Sequence, residues 1–151
     1  MRKVFWLLVC TLVLSSFSFD SSNPDGINFF EGKLKEASAE AKKENRPLFV
    51  FIGSSECDIC RKMKGVFKNP KVVDYYESNF ICYKIIDPEK NFLTYNKVTG
   101  WGMKTVPTFV YFTAKGKKVF IVDGYKDPGE FINQGINVLE LIKNGEDKKK
   151  K

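Results

Sequence analysis

Apolar residues recur along this chain at two spacings, and the switch between them lays out its elements. In "NFFEGKLKEASAEAKKENR", Phe30, Leu34, Ala37 and Ala41 share one stripe at helical spacing, with lysines and glutamates between them. Asn28 is expected to cap this helix, with Glu31 three residues on as its reciprocal partner, and Pro47 to mark its end. "LFVFIG" follows, an unbroken apolar run closed by glycine. A strand with no polar face needs cover on both sides, which places it centrally in a sheet flanked by helices. "RKMKGVF" and "NPKVVDYYESNF" return to helical spacing, and "FICYKII", Phe80 to Ile86, reads as a second buried strand. In "DPEKNFLTYNKVTG", Asp87 caps a helix, Pro88 sits in its first turn and Gly100 stops it. "TFVYFTAKGKKVFIV" reads as a hairpin turning at "AKGK". The closing segment carries Phe131, Ile132, Ile136, Val138, Leu139 and Ile142 at helical spacing and is expected to stop at Gly145.

The order is therefore α-β-α-α-β-α-β-β-α. Its first half makes parallel strands joined by crossover helices, and its second half an antiparallel hairpin followed by a helix. The fold class is α/β, a central mixed sheet flanked by helices with an N-terminal helix extension. Phe29, Phe30, Phe49, Phe51, Phe109 and Phe112 are expected in the core. A chain of 151 residues, 43% hydrophobic and with 14 Phe, suits one globular domain.

The first residues follow another logic. "MRK" is basic, Val4 to Leu14 is an apolar run of 11 residues, and "SSFSF" is a zone of mainly small residues. That order matches a secretory signal peptide, with cleavage near Ser18 or Phe19. As a helix the run would rise only about 16 Å, short of the ~30 Å that a membrane span needs. A lipid-modified Cys10 fits poorly, because Val9 precedes it and the apolar run continues beyond it. The expected division is residues 1–19 as signal peptide, 20–28 as linker, 29–145 as the folded domain and 146–151 as a disordered basic tail. The expected location is the periplasm or another exported compartment. The net charge is +7; without Arg2 and Lys3, 23 basic and 18 acidic residues leave +5. The final "EDKKKK" supplies part of that as a solvated run. A basic face with interleaved aromatics is not visible, so nucleic acid is not an expected partner.

Chemistry concentrates in "FVFIGSSECDICRKMKG". Cys57 and Cys60 lie two residues apart where the central strand ends and a helix begins. Such a pair can hold a metal, staple a turn, or cycle between dithiol and disulfide. A structural zinc site wants four ligands, and the chain has no His. Besides the pair, only Cys82 would remain after signal removal. A disulfide across so short a loop constrains little of the unfolded chain. The redox reading leads. A thiol at a helix N-terminus faces free backbone N–H groups and the positive end of the dipole, and both favour the reactive thiolate. Cys57 would attack and Cys60, one turn in, would resolve. Cys82, inside "FICYKII", reads as a small buried hydrophobe.

The sequence resembles the thioredoxin superfamily over about Phe29 to Asn144, and within it the divergent exported proteins. The resemblance rests on the strand-CxxC-helix unit, on "KTVPTFVYF" about fifty residues later, on "YKIID" and on Gly124-Tyr125. It implies a cis bond before Pro107, lying against the cysteine pair. It also implies that the backbone at Val106 and Pro107, with Thr108 behind, binds an extended peptide by strand-like pairing. Glu56, Asp58, Ile59 and Trp101 complete the candidate substrate-binding set; for Trp101 and Met103, core packing is the equal alternative. The implied activity is thiol-disulfide exchange with protein substrates. No metal and no cofactor beyond the Cys57–Cys60 disulfide is expected. The implied partners are protein thiols or disulfides and an electron donor or acceptor, a membrane redox protein among the candidates; the chain is expected to be a monomer.

Three departures from thioredoxins proper stand out. Glu56 replaces the Trp before the first cysteine, and Asp58-Ile59 replaces Gly-Pro between the two. Phe51 occupies the place of a buried Asp that accepts the resolving thiol's proton, so water or Glu56 would have to take it. Glu56 and Asp58 disfavour a nearby thiolate, Arg61, Lys62 and Lys64 offset them, and the balance leans towards a reductant. Two alternatives compete. One is a chaperone-like binding module without turnover, which an intact cysteine pair argues against. The other is a cysteine peroxidase, whose characteristic loop is not found.

Overall fold

The computed structural model describes residues 26–87 and 99–147. Among them, helix α1 spans Leu34–Glu44, strand β1 Leu48–Gly53, α2 Asp58–Phe67 and α3 Pro70–Asn79. Strand β2 spans Ile81–Ile86, β3 Thr108–Phe112, β4 Lys118–Asp123 and helix α4 Pro128–Asp147. The strands form one mixed sheet in the order β2-β1-β3-β4. β1 runs parallel to β2 and antiparallel to β3, and β3 and β4 form the hairpin. The α/β reading therefore holds. The expected signal peptide, and most of the helix expected from Asp87 to Gly100, lie outside the described residues.

β1 explains the architecture. All six of its residues are buried, and alternate side chains serve opposite faces. Phe49 and Phe51 join Phe109 and Tyr111 under α2, α3 and α4, with Met63, Phe67, Tyr76 and Phe131. Leu48, Val50 and Ile52 join Val110 and Phe112 under α1, whose Ala37 and Ala41 are fully buried. The first layer is dominated by rings. Tyr76 stacks on Phe131 at 4.2 Å, and Phe51 meets Phe67 edge-on at 4.9 Å. Off-centre and edge contacts of this kind add to the burial of each ring.

Several boundaries differ from the sequence reading. α1 starts at Leu34, not at Asn28. Its N-cap is Lys33, whose backbone N–H donates to Glu36 Oε2 at 2.9 Å, while the Asn28 N–H donates to Glu77 Oε1 across the fold. Asn45, in the left-handed region at φ 53°, ends the helix before Pro47. Phe29 and Phe30 are only half-buried. The segment before them is already part of the fold: Ile27 is buried, and its N–H donates to the Phe67 carbonyl. β2 is an edge strand, so Tyr83 to Ile86 are partly exposed rather than buried. Gly145 does not end α4, which runs to Asp147, and Ile136 points outward.

Candidate active site

The C-terminal end of β1 delivers the chain to the site. After Gly53 it turns through Ser54 to Glu56 and enters α2 with Cys57 as the N-cap. The Cys60 N–H donates to Cys57 Sγ at 3.1 Å, so the first sulfur takes up one of the helix's free amides. Cys57 and Cys60 are joined as a disulfide, their Cα atoms 5.2 Å apart. Cys57 is partly exposed and Cys60 is fully buried. The sulfur that a partner can reach is therefore that of Cys57, as expected of the attacking residue.

The floor beneath the pair is apolar. A methyl group at Gly53 would lie 3.6 Å from Cys60 Cβ and only 2.7 Å from the tip of the Phe51 ring. Gly53 thus leaves room for the Phe51 ring, two residues back on the same strand, while Cys60 stands at ordinary contact distance from the same point. Met63, one turn on from Cys60, is buried below and accepts the Lys126 N–H on its sulfur at 3.4 Å.

The second wall comes from far along the chain. The Val106–Pro107 peptide bond is cis, and the Val106 carbonyl oxygen lies 3.8 Å from Cys57 Sγ. Pro107 and Thr108 are buried at the start of β3. Pro107 gives up no ladder bond there, because a proline is tolerated at the first position of a strand. Cys57, Cys60, Val106 and Pro107 are thus brought together, with Thr108 directly behind them.

The remaining candidates divide. Glu56 and Asp58 are exposed on either side of Cys57, and Ile59 is 47% exposed between the cysteines. Asp58 is ion-paired with Arg61 one turn along α2, which offsets its charge near the pair. Trp101 is partly buried. Its ring packs edge-on against Phe112 at 5.3 Å, beside Met103 in the layer under α1. Phe112 is four residues along β3 from Thr108, about 13 Å at the usual strand rise. Of the two readings of Trp101, this contact is that of core packing. Cys82 is buried on β2, and burial pushes its thiol well above the usual cysteine range, so it stays protonated.

Asp87 has a role that was not anticipated. Its N–H donates to the Gly53 carbonyl at 3.0 Å, and its Oδ1 accepts the Ser55 N–H at 2.8 Å. The Ser55 amide holds this carboxyl below the usual aspartate range, with Ser54 adding to the effect. Asp87 therefore fastens the end of β2 to the loop that leads into Cys57. Its signal in the sequence was the aspartate closing "YKIID", whose position invited a helix-cap reading instead.

A family model described as a thioredoxin-like domain matches residues 34–137, more than two thirds of the sequence. The chain belongs to the thioredoxin-like family. A proposed disulphide-isomerase from Bacteroides thetaiotaomicron superposes with a TM-score of 0.65 at 27% identity, covering 77% of this chain and 95% of that one. The C-terminal domain of Neisseria meningitidis DsbD in its oxidised form superposes with a TM-score of 0.59 at 18% identity, covering 74% and 97%, a likeness of fold alone. Among curated relatives, an uncharacterized protein of Archaeoglobus fulgidus is 34% identical over 86 residues, 54% of this chain. Mouse spermatogenesis-associated protein 20 is 34% identical over 79 residues, 46% of this chain. The matched stretches span 64% of the archaeal relative and 10% of the mouse one. The family, the fold and a cysteine pair at bonding distance give the site the parts that thiol-disulfide exchange requires.

Proposed function

We propose that the protein is an exported reductant of protein disulfides. The observation that carries this reading is the placement of Cys57. Its sulfur is reachable, accepts the Cys60 amide of α2, and lies against the Val106 carbonyl.

In the dithiol form, the Cys57 thiolate attacks one sulfur of a substrate disulfide. A Cys57–substrate bond forms, and the other substrate sulfur leaves as a thiolate that takes a proton from water. Cys60 then gives up its proton to water and attacks Cys57 Sγ. The Cys57–Cys60 bond forms and the second substrate sulfur leaves. Two electrons have passed from enzyme to substrate, and an external dithiol restores the pair by the reverse exchanges. During attack the substrate chain lies extended along Val106–Pro107, pairing with the Val106 carbonyl as an added strand would.

The proposed direction is supported by how little favours the thiolate. Strong oxidants of this chemistry owe their power to a stabilised reduced form. Here Cys57 has the Cys60 amide, Glu56 opposes it, and Asp58 is ion-paired with Arg61. Export rests on the N-terminal sequence pattern. No helix among the described residues is long and apolar enough to cross a membrane.

The test is insulin reduction in the presence of dithiothreitol, with Cys57→Ser as control. Wild type should accelerate precipitation of the insulin B chain and the variant should not; equal rates would end the enzyme reading. Equilibration with glutathione should give a potential nearer thioredoxin's, about −270 mV, than that of DsbA, about −120 mV. A value near the latter would reverse the proposed direction.

A further inference from the structure

We infer that Asp123 is a positioning residue that holds the Val106–Pro107 loop in register for an extended substrate. This rests on the function proposed above and names a residue outside the set that the motif supplies.

Asp123 is the last residue of β4 and pairs directly with Thr108, the first of β3. Thr108 is fully buried, and its hydroxyl donates to Asp123 Oδ1 at 2.6 Å. The same oxygen is in contact with the Thr105 carbonyl. A hydroxyl has one proton to offer, so two acceptors compete for it. The one on Asp123 is anchored to the sheet, and the one on Thr105 belongs to the loop. The next amide, Gly124 N–H, donates to the Pro107 carbonyl at 2.9 Å, with Gly124 at φ 90°. The chain at Pro107 and Thr108 is thus tied to the end of β4 at two adjacent points, the Pro107 carbonyl and the Thr108 hydroxyl. One peptide before them the Val106 carbonyl faces Cys57 Sγ.

That carbonyl is the acceptor which an incoming strand would use. Small displacements of a positioned group are costly in exchange chemistry, because the attacked sulfur must line up with Cys57. A side chain that fixes the Thr108 hydroxyl therefore acts on substrate placement without touching substrate. A small disulfide that needs no strand pairing would not sense it.

The experiment compares Asp123→Ala and Asp123→Asn with wild type in three measurements: insulin reduction, reduction of hydroxyethyl disulfide, and hydrogen exchange at the Gly124 amide. Asp123→Ala should lower kcat/KM for insulin about tenfold, mainly through KM, as expected for the loss of one part-buried hydrogen bond to a charged group. Its rate with hydroxyethyl disulfide should stay within twofold of wild type. The Gly124 amide should exchange about tenfold faster. Asp123→Asn keeps an oxygen acceptor and should restore all three. The inference is overturned if Asp123→Ala leaves Gly124 exchange unchanged, if both disulfides slow in parallel, or if Asp123→Asn is as impaired as Asp123→Ala, which would mark a role of charge. If wild type itself failed to reduce insulin, the proposed function would fall, and the exchange measurement would still decide whether Asp123 holds the loop.

Discussion

Tyr76, Tyr111 and Gln134 form a buried hydrogen-bond chain whose direction can be worked out by counting protons. Tyr76 Oη donates to the Phe131 carbonyl at 2.8 Å, which uses its only proton. The 2.8 Å contact between the two hydroxyls must then be donated by Tyr111. With that proton spent, the 2.6 Å link from Gln134 to Tyr111 has to come from Gln134 Nε2. Three elements, α3, β3 and α4, are joined by a chain in which each donor has one acceptor. Tyr76→Phe removes the acceptor for Tyr111 and strands its proton where water does not reach. Tyr111→Phe strands the Gln134 amide. Each should cost about 2 kcal/mol, the middle of the range for a buried polar group left without its partner. In the double variant no hydroxyl proton remains to be stranded. Its cost should be about 3 kcal/mol, below the sum of the singles by about 1 kcal/mol. Urea unfolding followed by circular dichroism would read these as shifts in midpoint at constant slope. Additive singles, or singles costing under about 0.5 kcal/mol, would refute the directed chain.

Two further outcomes follow. Burial raises the Tyr76, Tyr111 and Cys82 ionisations above their ordinary values, so the folded state holds these protons more tightly than the unfolded one. The stability they contribute is complete below the ordinary cysteine and tyrosine values, about 8.5 and 10, and is lost above them. Thermal unfolding should show Tm falling as pH rises past about 9, and a flat Tm to pH 11 would contradict it. Asp87 works the other way: its carboxyl is held low, so its hold on the loop is present above the ordinary aspartate value of about 3.9 and is lost as pH falls below it. Asp87→Ala should speed exchange of the Ser55 amide and lower kcat/KM for insulin several-fold, while Asp87→Asn, which keeps an acceptor oxygen, should resemble wild type.

What could be read from the sequence was whatever repeats within one element. "LFVFIG" announced a strand covered on both faces because no polar residue interrupts it, and the two layers divide its side chains as that pattern requires. The cysteine pair was legible because two thiols at the start of a helix after such a strand have few other uses. Element ends were harder. Asn28 and Glu31 have the spacing of a cap, yet the chain makes that cap five residues later, where Lys33 and Glu36 stand before the first buried stripe residue on the helix. Trp101 was left open for a different reason. Proximity to Pro107 in sequence says nothing about which end of β3 its ring will reach, and the ring found Phe112. The roles of Asp87 and Asp123 were not legible because each works through a partner on another element, Ser55 and Thr108, and no local pattern encodes such a pair.

The same distinction bears on how the site divides its labour. Phe51 lies where related proteins keep a buried acid, and its ring tip and Cys60 face the same point beside Gly53. A carboxylate there would need a partner or would be neutralised, and the rings of Phe67 and Phe109 offer no hydrogen bond. The apolar layer thus leaves Cys60 fully enclosed and Cys57 as the sulfur open to solvent. Polar control of the pair is moved to its rim: the Cys60 amide beneath Cys57, Asp87 on the loop before it, and Asp123 behind the loop that faces it. A site built this way depends on the placement of two loops more than on an internal base. Substitutions at the rim should therefore alter protein substrates more than small disulfides.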